Sequence, residues 1–83
     1  MPMRAAKGNV EEAYRQAQIA VSASAAAGNA LGLVKRKVDL LVGAGYQPTL
    51  LKSTQLLVNE AIRKHNENHS RMLSIHSGLN EAR

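Results

Sequence analysis

The chain has 83 residues, enough for one small domain and too few for a large hydrophobic core. It contains no cysteine, which excludes disulfides and thiolate-based metal or nucleophile chemistry. Its formal net charge of +5 is compatible with an acidic partner, and much of its 45% hydrophobic content is alanine, so we expect self-association or a partner to supply stability that one chain lacks.

The first predicted helix spans about residues 9–42. Asn9 is its expected N-cap, with Glu12 reaching back as in a capping box, and Gly43-Ala44-Gly45 ends it because glycine adopts the left-handed conformation. Whether the helix breaks at Gly28-Asn29 is left open. An almost entirely apolar stripe recurs along this helix at steps of three and four residues, as in a coiled coil. Its members are Val10, Ala13, Ala17, Ala20, Ser24, Ala27, Leu31, Val34, Val38 and Leu41.

An uncharged run from Gln16 to Val34 is as long as a membrane span, but its glutamines, serines and glycines make it weakly hydrophobic. We expect no stable membrane span. The first residues alternate charged and polar side chains with small ones and do not resemble a secretory signal peptide. Cytoplasmic residence and export without a cleaved signal peptide both stay open.

The second predicted helix spans about residues 48–78, with Pro48 as its first residue, where the missing amide donor does no harm. The two helices predict an all-α fold, an antiparallel two-helix hairpin that assembles into a four-helix bundle dimer or a larger helical oligomer. We expect one domain over residues 1–83, with frayed termini at 1–8 and 79–83. The apolar arc of the second helix contains Leu50, Leu51, Leu57, Val58, Ala61, Ile62, Met72, Leu73, Ile75 and Leu79.

All three histidines lie in one stretch of the second helix, "KHNENHSRMLSIH". His65, His69 and His76 fall within its apolar arc, and with Met72 they are low-probability candidates for a copper, zinc or nickel site. A zinc-peptidase motif does not fit, because Glu67 lies about 200° round the helix from His65. No catalytic group and no cofactor are predicted.

A packing interpretation explains more of this stretch. If the hairpin turns near residues 44–46, the segment 63–71 lies against 19–27, where alanines and serines leave room for imidazoles and Ser24 is within reach of His65. The histidines then form polar layers that set the register of a helical interface. A pH-sensitive interface is an alternative, since imidazoles gain a proton near pH 6.

Two further features lie near the turn. Tyr46 is a candidate contact with a partner, or it folds back over the end of the hairpin. Lys35, Arg36, Lys37 and Lys52 form a basic patch, the candidate site for a nucleic-acid-binding accessory protein, although no aromatic residues are interleaved for base stacking.

The position of the turn and the long heptad helices resemble two families of small secretion-system proteins. In the WXG-motif family of type VII secretion substrates, a Trp-x-Gly closes the first helix about where this chain has Leu41-Val42-Gly43. This chain lacks the tryptophan and the family's export signal, a tyrosine followed four residues later by an acid. The resemblance implies a helical-hairpin dimer.

The second family is the needle subunit of type III secretion systems, whose hairpins turn at a proline and polymerise into a tube. Pro48, Leu50, Leu51, Gln55, Val58 and Glu60 resemble the start of that family's second helix. The resemblance implies a filament subunit.

The sequence therefore predicts a non-enzymatic protein-interaction module whose partner is a second copy or a homologous hairpin, with nucleic-acid binding as the alternative and a metal-binding or pH-sensitive bundle as the third interpretation. The predicted interface residues are Ala20, Ser24, Ala27, Leu31, Val34, Val38, Leu41, Val58, Ile62, His65, His69, Met72 and Leu79.

Overall fold

The computed structural model of the chain describes residues 3–83, with side chains from residue 6 onward. It contains two helices, α1 (Met3–Gly43) and α2 (Pro48–Ala82), and no strand in that range. The all-helical prediction is confirmed, and the arrangement is consistent with the predicted helical hairpin. The predicted fraying of residues 1–2 lies outside the described part of the chain, while 3–8 and 79–82 are helical.

The predicted start of α1 at Asn9 is wrong, because the helix already begins at Met3. Asn9 lies inside the helix, and the carboxylate of Glu12 accepts hydrogen bonds from Gln16 and Arg15 instead of reaching back to a cap. Alanine, arginine and lysine are good helix formers, so the residues before Asn9 extend the helix past the capping signal. The helix also continues through Gly28, and α2 runs four residues beyond its predicted end at Gly78.

The turn between the helices follows the prediction. The amides of Ala44 and Tyr46 donate to the carbonyls of Leu40 and Leu41 as α1 ends, and Gly45 takes a φ of 75° that favours glycine. Gln47 precedes α2 with a φ of 38°, and Pro48 occupies the first turn of α2. Backbone chemistry local to residues 43–48 thus positions the chain reversal.

Contacts between α1 and α2 run in opposite order along the two helices. Glu11 near the start of α1 contacts Arg83, Ser24 contacts His69, and Asp39 near the end of α1 contacts Gln55. The resulting rod measures 64 × 15 × 15 Å. Its radius of gyration is 18.8 Å, against about 12 Å for a compact domain of this length.

We call the line of side chains between the two helices the seam. It contains a residue at every third or fourth position of both helices, as in a coiled coil. These side chains are half-buried or buried: Val10, Tyr14, Ala17, Val21, Ser24, Gly28, Leu31, Lys35, Val38 and Val42 on α1, and Leu51, Gln55, Val58, Ile62, His65, His69, Met72, His76 and Leu79 on α2.

The predicted stripe on α1 coincides with the seam at every second seam position. Ser24, Leu31 and Val38, for example, were predicted in the stripe and lie in the seam. Ala27 and Val34 were also predicted, but the seam contains the residue that follows each of them. This displacement by one residue recurs at every second member of the stripe. The stripe was expected to contain Ala13, Ala20, Ala27, Val34 and Leu41, and the seam contains Tyr14, Val21, Gly28, Lys35 and Val42. The reason is that the predicted track and the seam track lie next to each other on α1, and periodicity alone does not say which one α2 covers.

Candidate functional site

The three histidines of α2 lie in the seam, and each meets a different residue of α1. His65 lies against Gly28, His69 against Ser24, and His76 against Tyr14. We call these contacts the histidine layers. They occupy the half of the rod away from the turn, whereas Leu31, Val38, Leu51, Val58 and Ile62 provide aliphatic contacts in the half next to the turn.

The middle histidine layer is a side-chain hydrogen bond between the helices. Nδ1 of His69 lies 2.8 Å from the hydroxyl of Ser24, and Ser24 is only 9% exposed. The predicted partner of Ser24 was His65, one helical turn earlier, so α2 is shifted by about one turn relative to the expected register. Because a buried hydroxyl needs a partner, this pair fixes the register of the two helices.

The layer nearest the middle of the rod depends on a missing side chain. A Cβ atom placed on Gly28 would lie 2.6 Å from Nε2 of His65, so the imidazole occupies space that only glycine leaves free. The rings of His65 and His69 stack, with centroids 5.9 Å apart. Gly28 was considered a possible break in α1, but the helix continues through it and the imidazole of His65 packs against it.

The third layer is part of a cluster at the far end of the rod. The rings of Tyr14 and His76 stack at 4.7 Å, and the guanidinium of Arg83 lies 4.0 Å from the centroid of Tyr14. Arg83 also donates to Glu11 over 3.2 Å. Nε2 of His76 is buried and has no hydrogen-bond partner among the described residues. Tyr14 was not predicted as a contact, because it lies with Gly28 on the heptad track one residue away from the predicted stripe.

The histidines do not form a cluster with other conventional metal ligands. Within the described range no three His, Cys, Asp or Glu side chains lie close enough together to hold an ion. Glu67 accepts from Arg63 over 2.6 Å on the exposed side of α2, away from the seam. Met72 is half-buried in the seam between His69 and His76. These contacts favour the packing interpretation of the histidine stretch.

The predicted basic patch is partly engaged in contacts within the chain. Nζ of Lys35 lies 2.6 Å from one carboxylate oxygen of Asp39, and the amide of Gln55 donates to the other over 2.7 Å. The hydrogen bond from Lys35, and then that from Gln55, lowers the pKa of Asp39 below its ordinary value. Arg36, Lys37 and Lys52 are exposed. Lys35 therefore contributes to the seam as well as to the patch.

A second group of charges lies on the outer side of α2. Arg63 donates to Glu60 and to Glu67, each over 2.6 Å, and Lys64 lies 3.9 Å from Glu60. The hydrogen bond from Arg63 lowers the pKa of Glu60, and that same bond raises the pKa of Arg63. All four side chains are exposed, so these pairs support α2 locally and leave the seam unaffected.

The two long sides of the rod differ in polarity. On each helix, the residue that precedes every second seam residue lies on the same long side of the rod. We call this side the uncharged face because it carries no ionisable group. It consists of Ala13, Ala20, Ala27, Val34 and Leu41 from α1 and Thr54, Ala61, Asn68, Ile75 and Ala82 from α2. The opposite side is polar, with Glu11, Gln18, Ala25, Gly32 and Asp39 from α1 and Lys52, Asn59, Asn66, Leu73 and Asn80 from α2.

Further large apolar side chains lie outside the seam. On α2, Leu50 and Leu57 adjoin the uncharged face and are exposed. On α1, Ile19, Leu33 and Leu40 are 62%, 55% and 68% exposed and lie on the back of the helix, opposite the seam. Large aliphatic groups are thus concentrated next to the turn, and small ones further along α1. An exposed apolar surface of this extent is typical of an interaction site.

The exposed area of the single chain is large for its mass. The accessible surface is 6177 Å², whereas a compact monomer of this mass exposes about 4,800 Å². The surplus of about 1,400 Å² exceeds the roughly 800 Å² that each partner buries in a standard interface. Val38 alone among the described apolar residues is buried, at 9% exposure.

The structure divides the predicted interface residues into two sets. Ser24, Leu31, Val38, Val58, Ile62, His65, His69, Met72 and Leu79 lie in the seam within the chain, and Ala20, Ala27, Val34 and Leu41 lie on the uncharged face. As contacts with another molecule, the second set stays a prediction. Tyr46 is 57% exposed at the turn, and its contact with a partner also stays a prediction.

No protein-family model, no curated protein and no solved structure matches this chain. The resemblances to two secretion-system families therefore stay predictions. By length and composition alone, the stretch Ala6–Gly43 is apolar enough to cross a membrane, a test that helices of soluble proteins also pass.

Proposed function

We propose that the chain is a non-enzymatic assembly module, an antiparallel helical hairpin that packs through its uncharged face against a second copy or a homologous hairpin. The product would be a four-helix bundle or a longer helical assembly. The observation that carries the proposal is the contrast between the two sides of the rod, one uncharged and rich in exposed aliphatic groups, the other polar.

Energetic considerations support this function. A pair of helices with such a narrow seam buries little apolar surface, and small domains of this kind commonly gain stability from oligomerisation. The alanines at positions 13, 20 and 27 permit close approach of another helix, while Val34 and Leu41 add apolar area. Self-association also agrees with the expectations from the secretion-system resemblances.

The proposal is tested by placing a charge on either side of the rod. Ala27→Arg introduces a guanidinium on the uncharged face, and Ala25→Arg makes the same change on the polar side of the same helical turn. Both alanines are exposed in the single chain, so neither variant should disturb the seam. We expect the wild type and Ala25→Arg to sediment as an oligomer and Ala27→Arg as a monomer.

The measurement is sedimentation velocity over a range of protein concentrations, with circular dichroism to show that both variants stay helical. Leu41→Arg provides a second test nearer the turn. A wild type that stays monomeric at all concentrations would refute the proposal. Equal dissociation by Ala25→Arg and Ala27→Arg would show that the uncharged face is not the contact.

A further inference from the structure

The two halves of the seam differ in how they respond to a proton. We define the turn half as Leu31–Val42 on α1 with Leu51–Ile62 on α2, and the open half as Val10–Gly28 on α1 with His65–Leu79 on α2. The open half contains every histidine of the chain, and the turn half contains none. Imidazole is the side chain that ordinarily changes charge between pH 8 and pH 5.

We propose that the histidine layers make the open half of the seam acid-sensitive, so that protonation of His65, His69 and His76 separates the helices there while the turn half stays packed. The inference concerns contacts within one chain and goes beyond the proposed assembly function. It rests on which groups surround each imidazole.

Among the described residues, the surroundings of His65 and His69 on α1 offer no counter-charge. On α1 they meet Gly28 and the hydroxyl of Ser24, and the sequence from Gln16 to Val34 contains no charged residue. The charged residues that bound this run on α1 are Arg15 and Lys35, both basic. With ring centroids 5.9 Å apart, two imidazolium ions would repel each other in a partly desolvated seam.

The charged groups of α2 around these two rings do not compensate either. Glu60 and Glu67 accept from Arg63 on the exposed side of the helix, and Lys64 and Arg71 add further positive charge. The two nearby carboxylates are therefore already engaged. A proton on His65 or His69 adds to a positive potential instead of completing an ion pair.

His76 faces a different set of groups with the same consequence. It stacks on Tyr14, whose ring also contacts the Arg83 guanidinium at 4.0 Å, and Glu11 is engaged by Arg83. Protonation would give both ring nitrogens of His76 a hydrogen, yet its buried Nε2 has no acceptor among the described residues. A charged donor left without a partner in a buried position favours opening of the contact.

The turn half has contacts that persist at pH 5. Leu31, Val38, Leu51, Val58 and Ile62 are uncharged at any pH. The bridge from Lys35 and Gln55 to Asp39 also persists, because the pKa of Asp39 lies below its ordinary value. The short turn keeps the two helices connected, so opening of the other half is local and reversible.

The test measures the distance between the helices in each half. The chain has no native cysteine, so spin labels can be placed specifically. Ala23→Cys with Ser70→Cys reports on the open half, and Arg36→Cys with Ser53→Cys reports on the turn half; all four positions are exposed. Double electron–electron resonance is recorded at pH 8 and pH 5, with unlabelled chain added to dilute contacts between molecules.

We expect the open-half distances to become longer and broader at pH 5 and to return at pH 8, while the turn-half distances stay unchanged. Combined substitution of all three histidines by glutamine keeps polar side chains but removes the titration, and should hold the open half closed at pH 5. If that variant is not helical at pH 8, single His69→Gln and His76→Gln variants are used, each of which should reduce the shift.

Three results would overturn the inference: unchanged open-half distances in the wild type, equal opening in the glutamine variants, or simultaneous opening of the turn half. Sedimentation at both pH values runs in parallel. Because the labelled distances lie within one chain, failure of the assembly proposal would leave this measurement interpretable.

Discussion

The imidazole of His65 occupies the space above Gly28 that a Cβ atom would fill, with Nε2 only 2.6 Å from where that atom would lie. Gly32, one turn later on the same helix, has no atom within 4 Å of the corresponding point. Two glycines in similar helical surroundings therefore differ in one respect, the presence of a ring from the other helix.

This difference predicts opposite outcomes for the same substitution. Replacing glycine by alanine in a helix gains about 1 kcal/mol, which raises the Tm of a domain of this size by about 4–8 °C. We expect Gly32→Ala to show this gain, measured by thermal circular dichroism. Gly28→Ala should show no gain, because the ring of His65 must move away. An equal rise in both variants would contradict the observed packing.

A double variant isolates the cause. In the His65→Ala background the ring that obstructs a methyl group at position 28 is absent. The Gly28→Ala step should therefore be stabilising in that background. The coupling between the two sites is the difference between the two steps. A coupling energy of zero would contradict the contact between the ring of His65 and Gly28.

Ser24 and Ser22 offer a second matched pair on α1. Ser24 is buried and bonded to His69, whereas Ser22 is exposed. Ser24→Ala should lower the free energy of unfolding by about 1 kcal/mol relative to Ser22→Ala, because the Nδ1 atom of His69 loses its partner. The comparison cancels the higher helix propensity of alanine. Urea titration at pH 8 provides the measurement, and indistinguishable midpoints would argue against the hydrogen bond.

The bridge at Asp39 predicts a dependence of stability on pH. The pKa of Asp39 is lowered in the folded chain, first by the hydrogen bond from Lys35, so the unfolded chain binds a proton at higher pH than the folded chain does. The stability that Asp39 contributes is present above its ordinary pKa of 3.8 and is lost as the pH falls through the folded value. Asp39→Asn should therefore lose less stability than wild type between pH 5 and pH 2.

Glu60→Gln provides the comparison for this measurement. The pKa of Glu60 is also lowered, but its partners Arg63 and Lys64 lie on the same helix. Its acid-dependent contribution thus supports α2 alone. Urea midpoints at pH 8 should fall further for Asp39→Asn than for Glu60→Gln, since only the former breaks a contact between the helices. The reverse order would mean that the bridge does not hold the seam.

The two tyrosines predict unequal effects of one substitution. Tyr14 stacks on His76 and contacts Arg83, and such aromatic contacts contribute about 0.5–1.5 kcal/mol beyond the area they bury. Tyr14→Ala should lower the Tm by several degrees. Tyr46→Ala, at the exposed turn, should leave the Tm of the single chain unchanged. Thermal unfolding at low protein concentration measures the Tm of both variants. A larger decrease for Tyr46→Ala than for Tyr14→Ala would contradict the contacts of Tyr14 with His76 and Arg83.

Local signals in the sequence were sufficient to predict that there are two helices and where the turn between them lies. Gly45 and Pro48 act through the backbone, so their effect on the turn does not depend on distant residues. The start of α1 was less predictable, because Asn9 carries a capping signal that good helix formers before it override. The position of His65 among apolar residues was likewise visible from helical spacing alone.

The partners of these residues were not predictable in the same way. Ser24 was assigned to His65 and pairs with His69, since the turn geometry shifts the register by about one helical turn. The contacts of Tyr14 with His76 and of Asp39 with Gln55 join residues far apart in the chain. Their spacing carries no local signal, and only the packing of complete side chains selects them.

The sequence by itself determined that this protein is two long helices joined by a glycine-containing turn, because helix formation and termination depend on near neighbours. It also indicated one almost entirely apolar stripe along α1. Only the tertiary structure decided that the residue next to the predicted one faces α2 at every other seam position, as at Gly28, which leaves room for the imidazole of His65. That choice leaves Ala27, Val34 and Leu41 on the exposed uncharged face, where one helix pair has no further surface to cover them.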